Sequence, residues 1–115
     1  CVVFGKRIAD TINQSNVLKS KKQLPITEYQ HRNYNYIPMK RKLGTLMDEY
    51  VGIVRSEEGL QFAKSQVSAM HSDLSAFPNN NKFYYEALNM VDTALLIING
   101  AIKRKESIGC HYRIN

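Results

Sequence analysis

The sequence predicts an all-α fold: a three-helix antiparallel bundle with an extra short N-terminal helix and an extended linker. Three observations predict it. Apolar residues recur at helical spacing over three separate stretches after Pro38, and short polar connections join those stretches. No period-two alternation of useful length occurs anywhere in the chain. With 115 residues, 43% hydrophobic and 23% charged, the chain makes at most one ordinary globular domain.

Residues 2–13 read as the short first helix, with Val2, Val3, Ile8, Ala9 and Ile12 apolar. Gly5 inside it costs about 1 kcal/mol against Ala and reads either as a point of close backbone packing or as a simple interior glycine. Residues 14–37 show no sustained period. They hold Pro25, then Tyr29, His31, Tyr34 and Tyr36 among polar residues, the composition of an extended strap lying over another surface. Pro38 suits a helix's first turn, and Leu43, Leu46, Met47, Tyr50, Val51 and Val54 then form one helical face, with Arg55 at the end. Ser56 reads as the N-cap of the next helix, and Glu57 and Glu58 answer its dipole. Leu60, Ala63, Val67, Met70 and Leu74 form its apolar stripe until Phe77-Pro78 stops it. Asn79-Asn80-Asn81 makes a turn with caps to spare. The last helix carries Tyr84, Ala87, Leu88, Val91, Leu95, Ile98 and Ile102, with Gly109 beyond it as a stop signal and a tight turn. The four methionines, Met39, Met47, Met70 and Met90, read as core filler.

Several classes of function are disfavoured. No apolar run approaches the ~20 residues that cross a bilayer, so no membrane partner is expected. Cys1 and Cys110 are too few and too far apart for a disulfide scaffold or a zinc site, which makes a reducing cytoplasm the default. Cys1-Val2-Val3-Phe4 has no basic leader before it and no initiating Met, so position 1 reads as an internal cut in a longer protein. The formal charge of +6 is spread along the chain, in clusters at element edges, so nucleic acid is not the expected partner. A small basic helical module that binds nucleic acid or protein is the alternative reading.

Catalytic sets are missing too. His31, His71 and His111 fall in the linker, a helix and the tail. His71 lies one residue past the core position Met70 and reads as an exposed surface histidine. Asp48-Glu49 and Glu57-Glu58 are sequence neighbours, suited to helix surfaces more than to acid–base work. No phosphate loop or nucleophile motif is present. The expected catalytic, cofactor-binding and metal residues are therefore none. One constellation remains. In an up-down-up bundle the helix before Ser56 and the last helix run the same way, so Arg55, Glu106, His111 and Arg113 fall at one pole. They either answer helix dipoles or form a docking surface for a partner domain.

Two segments carry a family resemblance. Met47 to Ser56, with Val51-Gly52-Ile53-Val54-Arg55 at its centre, resembles a segment in the C-terminal helical domain of L-aspartate oxidases. Arg104 to Arg113, with Glu106-Ser107, Gly109 and His111-Tyr112-Arg113, resembles the ending shared by those oxidases and the flavoprotein subunits of succinate dehydrogenase and fumarate reductase. Residues 1–9 are similar to the last helix of the family's FAD-binding domain.

The resemblance implies residues 1–13 as a remnant of that domain, 14–37 as linker and 38–115 as the C-terminal bundle. It implies a cytoplasmic flavoenzyme that oxidises L-aspartate to iminoaspartate for NAD biosynthesis by way of quinolinate. FAD is then the cofactor of the full-length enzyme and none is bound by this piece, whose partners are the FAD-binding and capping domains of the same polypeptide. Arg55, Glu106, His111 and Arg113 become interdomain contacts. The chain departs from the family at Ile108, where the family carries Arg, which leaves Glu106 to donors such as Arg55 or Arg113.

Overall fold

A computed structural model describes residues 2–15 and 34–114. Most of the expected strap, with Pro25, Tyr29 and His31, lies outside the described residues, as does Cys1. The elements are α1 (Val2–Gln14), α2 (Ile37–Tyr50), β1 (Val54–Ser56), α3 (Glu57–Ala76), α4 (Lys82–Lys103) and β2 (Tyr112–Ile114). The all-α expectation holds, with one addition: β1 and β2 pair as a short parallel ladder.

Helices α2, α3 and α4 pack on one another around a single core. Leu60, Val67, Val91 and Ile98 are fully buried, each contributing about 1.5–3 kcal/mol. All five stripe residues expected on α3 are buried. On α4 the buried line runs through Tyr84, Ala87, Val91, Ala94, Ile98 and Ala101, while Leu88, Leu95 and Ile102 flank it half-buried. Met70 is in the core, but Met90 is exposed and fills nothing.

Side-chain contacts fix the directions. Tyr84 Oη, at the start of α4, donates to the Leu74 carbonyl near the end of α3 at 3.1 Å. At the opposite end Lys105 Nζ meets Glu57 at 2.7 Å. These two helices are therefore antiparallel. Lys40 on α2 meets Glu86 on α4 at 2.7 Å near both helix starts, so those two run the same way. The bundle is up-down-up.

Capping follows the sequence closely. Ser56 Oγ accepts from Gly59 N at 3.0 Å, and Asn81 Oδ1 accepts from Phe83 N at 2.9 Å. Phe77 is the C-cap of α3, one residue before Pro78. Two boundaries differ from expectation. The second helix stops at Tyr50 rather than reaching Val54 and Arg55, with Val51 as its C-cap. Gly52 makes the turn possible, because a Cβ there would sit 2.8 Å from the Asp48 carbonyl oxygen. At the other boundary α4 stops at Lys103 with Arg104 extended, so Gly109 is not the helix stop. Gly109 instead sits at φ +59 in a two-residue hairpin turn. Ile108 and His111 exchange backbone hydrogen bonds of 3.0 and 3.1 Å across it, the arrangement in which glycine is favoured at the first central position.

Helix α1 forms as expected, but every residue in it is exposed. Gly5 faces open space, so no close backbone contact accounts for it among the described residues. The apolar side chains of Phe4, Ile8 and Ile12 share one face of α1 and are not covered by any of the described residues.

Candidate functional site

The pole where α2 and α4 end is built by the ladder. Because these helices point the same way, the chain leaving each one runs in the same direction, and the two short strands pair in parallel. The register is Val54 opposite Tyr112, Arg55 opposite Arg113 and Ser56 opposite Ile114. Side chains alternate between faces along a strand, and directly paired residues share a face. Arg55 and Arg113 therefore lie on one face, and Val54, Tyr112 and Ile114 on the other.

The polarity of this ladder is inverted. Its basic face is turned into the domain, and the Arg113 side chain is only 8% exposed. The apolar face looks outward: Val54 is 55% exposed and Tyr112 53%, with Ile53, Ile108 and Ile114 also exposed nearby. A strand pair ending as solvated surface has the opposite pattern, because exposed apolar area costs roughly 25 cal/mol per Å² of unrealised burial.

Arg55 organises the inner face. Its Nε donates to the carbonyls of Val51 at 3.2 Å and Gly52 at 2.6 Å, which closes the end of α2. Its Nη1 lies 2.6 Å from His111 Nδ1. His111 is buried, and its Nε2 lies 2.9 Å from the Arg104 carbonyl at the end of α4. One arginine and one histidine thus join both helix ends to both strands.

Glu57 organises the rest. Its carboxylate accepts from Lys105 Nζ at 2.7 Å, from Gln61 Nε2 at 3.0 Å and from Arg113 Nη2. These donors, Lys105 foremost, hold its pKa down to about 2 against an ordinary value of 4.5. Arg113 Nη1 is buried with no hydrogen-bond partner among the described residues.

The structure brings Arg55 and His111 together, as the pole argument expects. Arg113 lies beside them but turns to Glu57. Glu106 is exposed, and Arg55 and Arg113 are not its donors. Sequence reasoning gave Glu57 a helix-dipole role and missed its part here; its position at a helix start next to a three-residue strand holds no clue to Lys105 or Arg113. His71 is half-exposed, and it meets Asp92 on α4 at 3.3 Å, a cross-helix partner invisible at i+3 or i+4. Cys110 is exposed and free.

Among the described residues no three His, Cys, Asp or Glu side chains converge as a metal set, and no helix is long and apolar enough to cross a membrane. The junction of β1 and α3 does not form a pyrophosphate cradle either. The strand-to-helix junction at Ser56 puts the Glu57 carboxylate at the α3 N-terminus, where a pyrophosphate needs open N–H groups and a glycine-rich turn.

The family model for the C-terminal region of fumarate reductase flavoproteins matches residues 40–115. An uncharacterized FAD-dependent oxidoreductase of Methanocaldococcus jannaschii is 37% identical over 84 residues, covering 70% of this chain and 15% of that protein. A fumarate reductase flavoprotein subunit of Haemophilus influenzae is 31% identical over 120 residues, 93% of this chain and 20% of that protein. An L-aspartate oxidase of Pseudomonas aeruginosa is 36% identical over 77 residues, 64% of this chain and 14% of that protein. No solved structure matches. The chain spans a fifth or less of the length of these relatives. A helical bundle closed by this ladder, matched by one family model from α2 to the last residue, places the chain in the fumarate reductase flavoprotein C-terminal family.

Proposed function

We propose that this chain is the C-terminal helical domain of an L-aspartate oxidase, an FAD-dependent enzyme that converts L-aspartate to iminoaspartate in NAD biosynthesis. In this reading FAD accepts the hydride in the full-length protein, and the present residues take no chemical step. Their work is mechanical. They close against the FAD-binding domain of the same polypeptide, with the capping domain as a further neighbour. The enzyme works in the cytoplasm.

The inverted ladder is the observation that carries this reading. An apolar face of Val54, Tyr112 and Ile114, backed by an ordered basic layer, suits burial against a second domain. Arg55 and His111 hold that face in place from behind. Glu106, exposed at its edge, is free to meet a cation of the partner domain. The unpartnered apolar stripe of α1 fits a helix that belongs to the FAD-binding domain, with residues 14–37 as the crossing between the two.

The test uses the full-length protein. Val54→Asp with Tyr112→Ser should release FAD and lower the melting temperature, and aspartate-dependent flavin reduction should fall with them. Unchanged FAD retention and stability in that variant, and in Glu106→Ala, would sink the docking role. A fumarate reductase or succinate dehydrogenase flavoprotein is the second reading, favoured by the Haemophilus match over 93% of the chain. Reduction of the flavin by succinate but not by L-aspartate would select it.

A further inference from the structure

We propose that His111 is a proton-sensitive latch that holds the tail strand β2 against β1 only while its imidazole is neutral. The hydrogen-bond chemistry leaves one tautomer. A guanidinium has donors and no acceptor, so His111 Nδ1 must accept from Arg55 Nη1 at 2.6 Å. The ring hydrogen then lies on Nε2, which donates to the Arg104 carbonyl at 2.9 Å. Both ring nitrogens are committed, the residue is only 6% exposed, and the arrangement has no room for a second proton.

A proton arriving at Nδ1 would face the Arg55 cation at hydrogen-bond distance. The other charges around the ring do not relieve that clash. On β2, Arg113 is the next charge and is itself held by Glu57. Lys105, just past α4, also goes to Glu57, and the Arg104 side chain is exposed. From α3 the nearest carboxylate, Glu57, is thus engaged elsewhere, and among the described residues none lies within ion-pair distance of the ring. The C-terminal end of α4 favours a cation with about half a charge. A full positive charge 2.6 Å away outweighs it.

Protonation therefore requires the ring to leave, and its departure loosens β2. Besides the ladder and the Arg113–Glu57 ion pair, two backbone donors tie the tail down: Tyr112 N donates to the Ile53 carbonyl, and Arg113 N to Ser107 Oγ. Opening separates Tyr112 and Ile114 from Val54 and breaks up the apolar face. The latch is intramolecular; its consequence for domain closure rests on the docking reading above.

Hydrogen exchange of the tail peptide in the full-length protein tests this. Solvated histidines in general titrate near ~6.5. Corrected for intrinsic rates, protection of Tyr112 to Ile114 should fall by up to about tenfold per pH unit below that value, since only the open state takes the proton. Peptides from α3 and α4 should hold steady. His111→Asn puts an amide oxygen in place of Nδ1 and does not titrate, so its tail should lose the pH dependence. A flat wild-type profile, or an equally steep fall in His111→Asn, overturns the latch. If that variant does not fold, nitrogen chemical shifts of His111 in the wild-type protein decide: an imidazolium coexisting with a protected tail overturns it, and an Nε2–H tautomer supports it. FAD retention read on the same samples separates the two proposals. Tail opening without FAD loss supports the latch and sinks the docking role, whereas FAD loss without tail opening sinks the latch.

Discussion

The two ends of the bundle are closed by different means. At the end where α3 turns into α4, part of the closure is short in sequence: Tyr84 reaches back ten residues to Leu74, and Asn81 caps its own helix, while the Lys40–Glu86 ion pair ties in α2 from 46 positions away. Asn79 is buried there, with Nδ2 3.3 Å from the Tyr36 hydroxyl, and an apolar cleft of about 740 Å³ opens beside Met39, Met70 and Phe77. At the ladder end, the contacts join residues 48 to 56 positions apart, and most are ionic or charge-assisted. One end is thus fixed in part as the hairpin of helices forms and completed when Tyr36 and Lys40 reach it from the α2 side. The other is assembled only when the last residues return, and it presents apolar side chains outward.

Breaking what the ends share should cost most. Ile98→Ala removes a fully buried side chain between them and should destabilise the full-length protein by about 2–5 kcal/mol in denaturant unfolding. Arg55→Met acts on the ladder end alone. It strips a donor from His111 and from two carbonyls at the end of α2, with an expected loss of about 1–3 kcal/mol and faster exchange at β2. Ser56→Ala sits at the junction of β1 and α3 and should cost about 1 kcal/mol through the lost cap, leaving the turn end untouched.

The smallest effect is a pH dependence. Glu57 is held down to about 2 in the folded state, so its contribution is fully present above about 4.5 and is lost as pH falls toward 2. Glu57→Gln should flatten that acid limb of the stability curve. Glu86, held below the ordinary carboxylate value by Lys40 at the far side of the bundle, should lose its contribution as pH falls into the acid range, and Glu86→Gln is the matching control for the other end.

This contrast also explains what was legible in the sequence. The stripe Leu60, Ala63, Val67, Met70 and Leu74, the Ser56 cap and the Phe77-Pro78 stop are local signals, and each one matches the structure. The shared pole of Arg55 and His111 followed from topology alone, given three antiparallel helices. The ladder did not follow. Three residues are too few to show an alternation, and β1 carries its apolar residue on the outer face, so Val54 and Arg55 read as the end of the second helix and Ser56 as the cap of the next. Glu57 and Asp92 stayed hidden for a related reason: their partners are set by which surfaces meet, which no spacing within one helix encodes.

An exposed apolar strand pair invites a further strand. Here that invitation is partly withdrawn. Tyr112 turns its N–H toward β1, so the N–H of Arg113 points to the open edge, where Ser107 Oγ accepts it at 3.0 Å. A neighbouring chain seeking to extend the ladder meets a donor already taken. The tail therefore offers side chains more readily than backbone donors for recognition, which works against fibrous self-association through this edge.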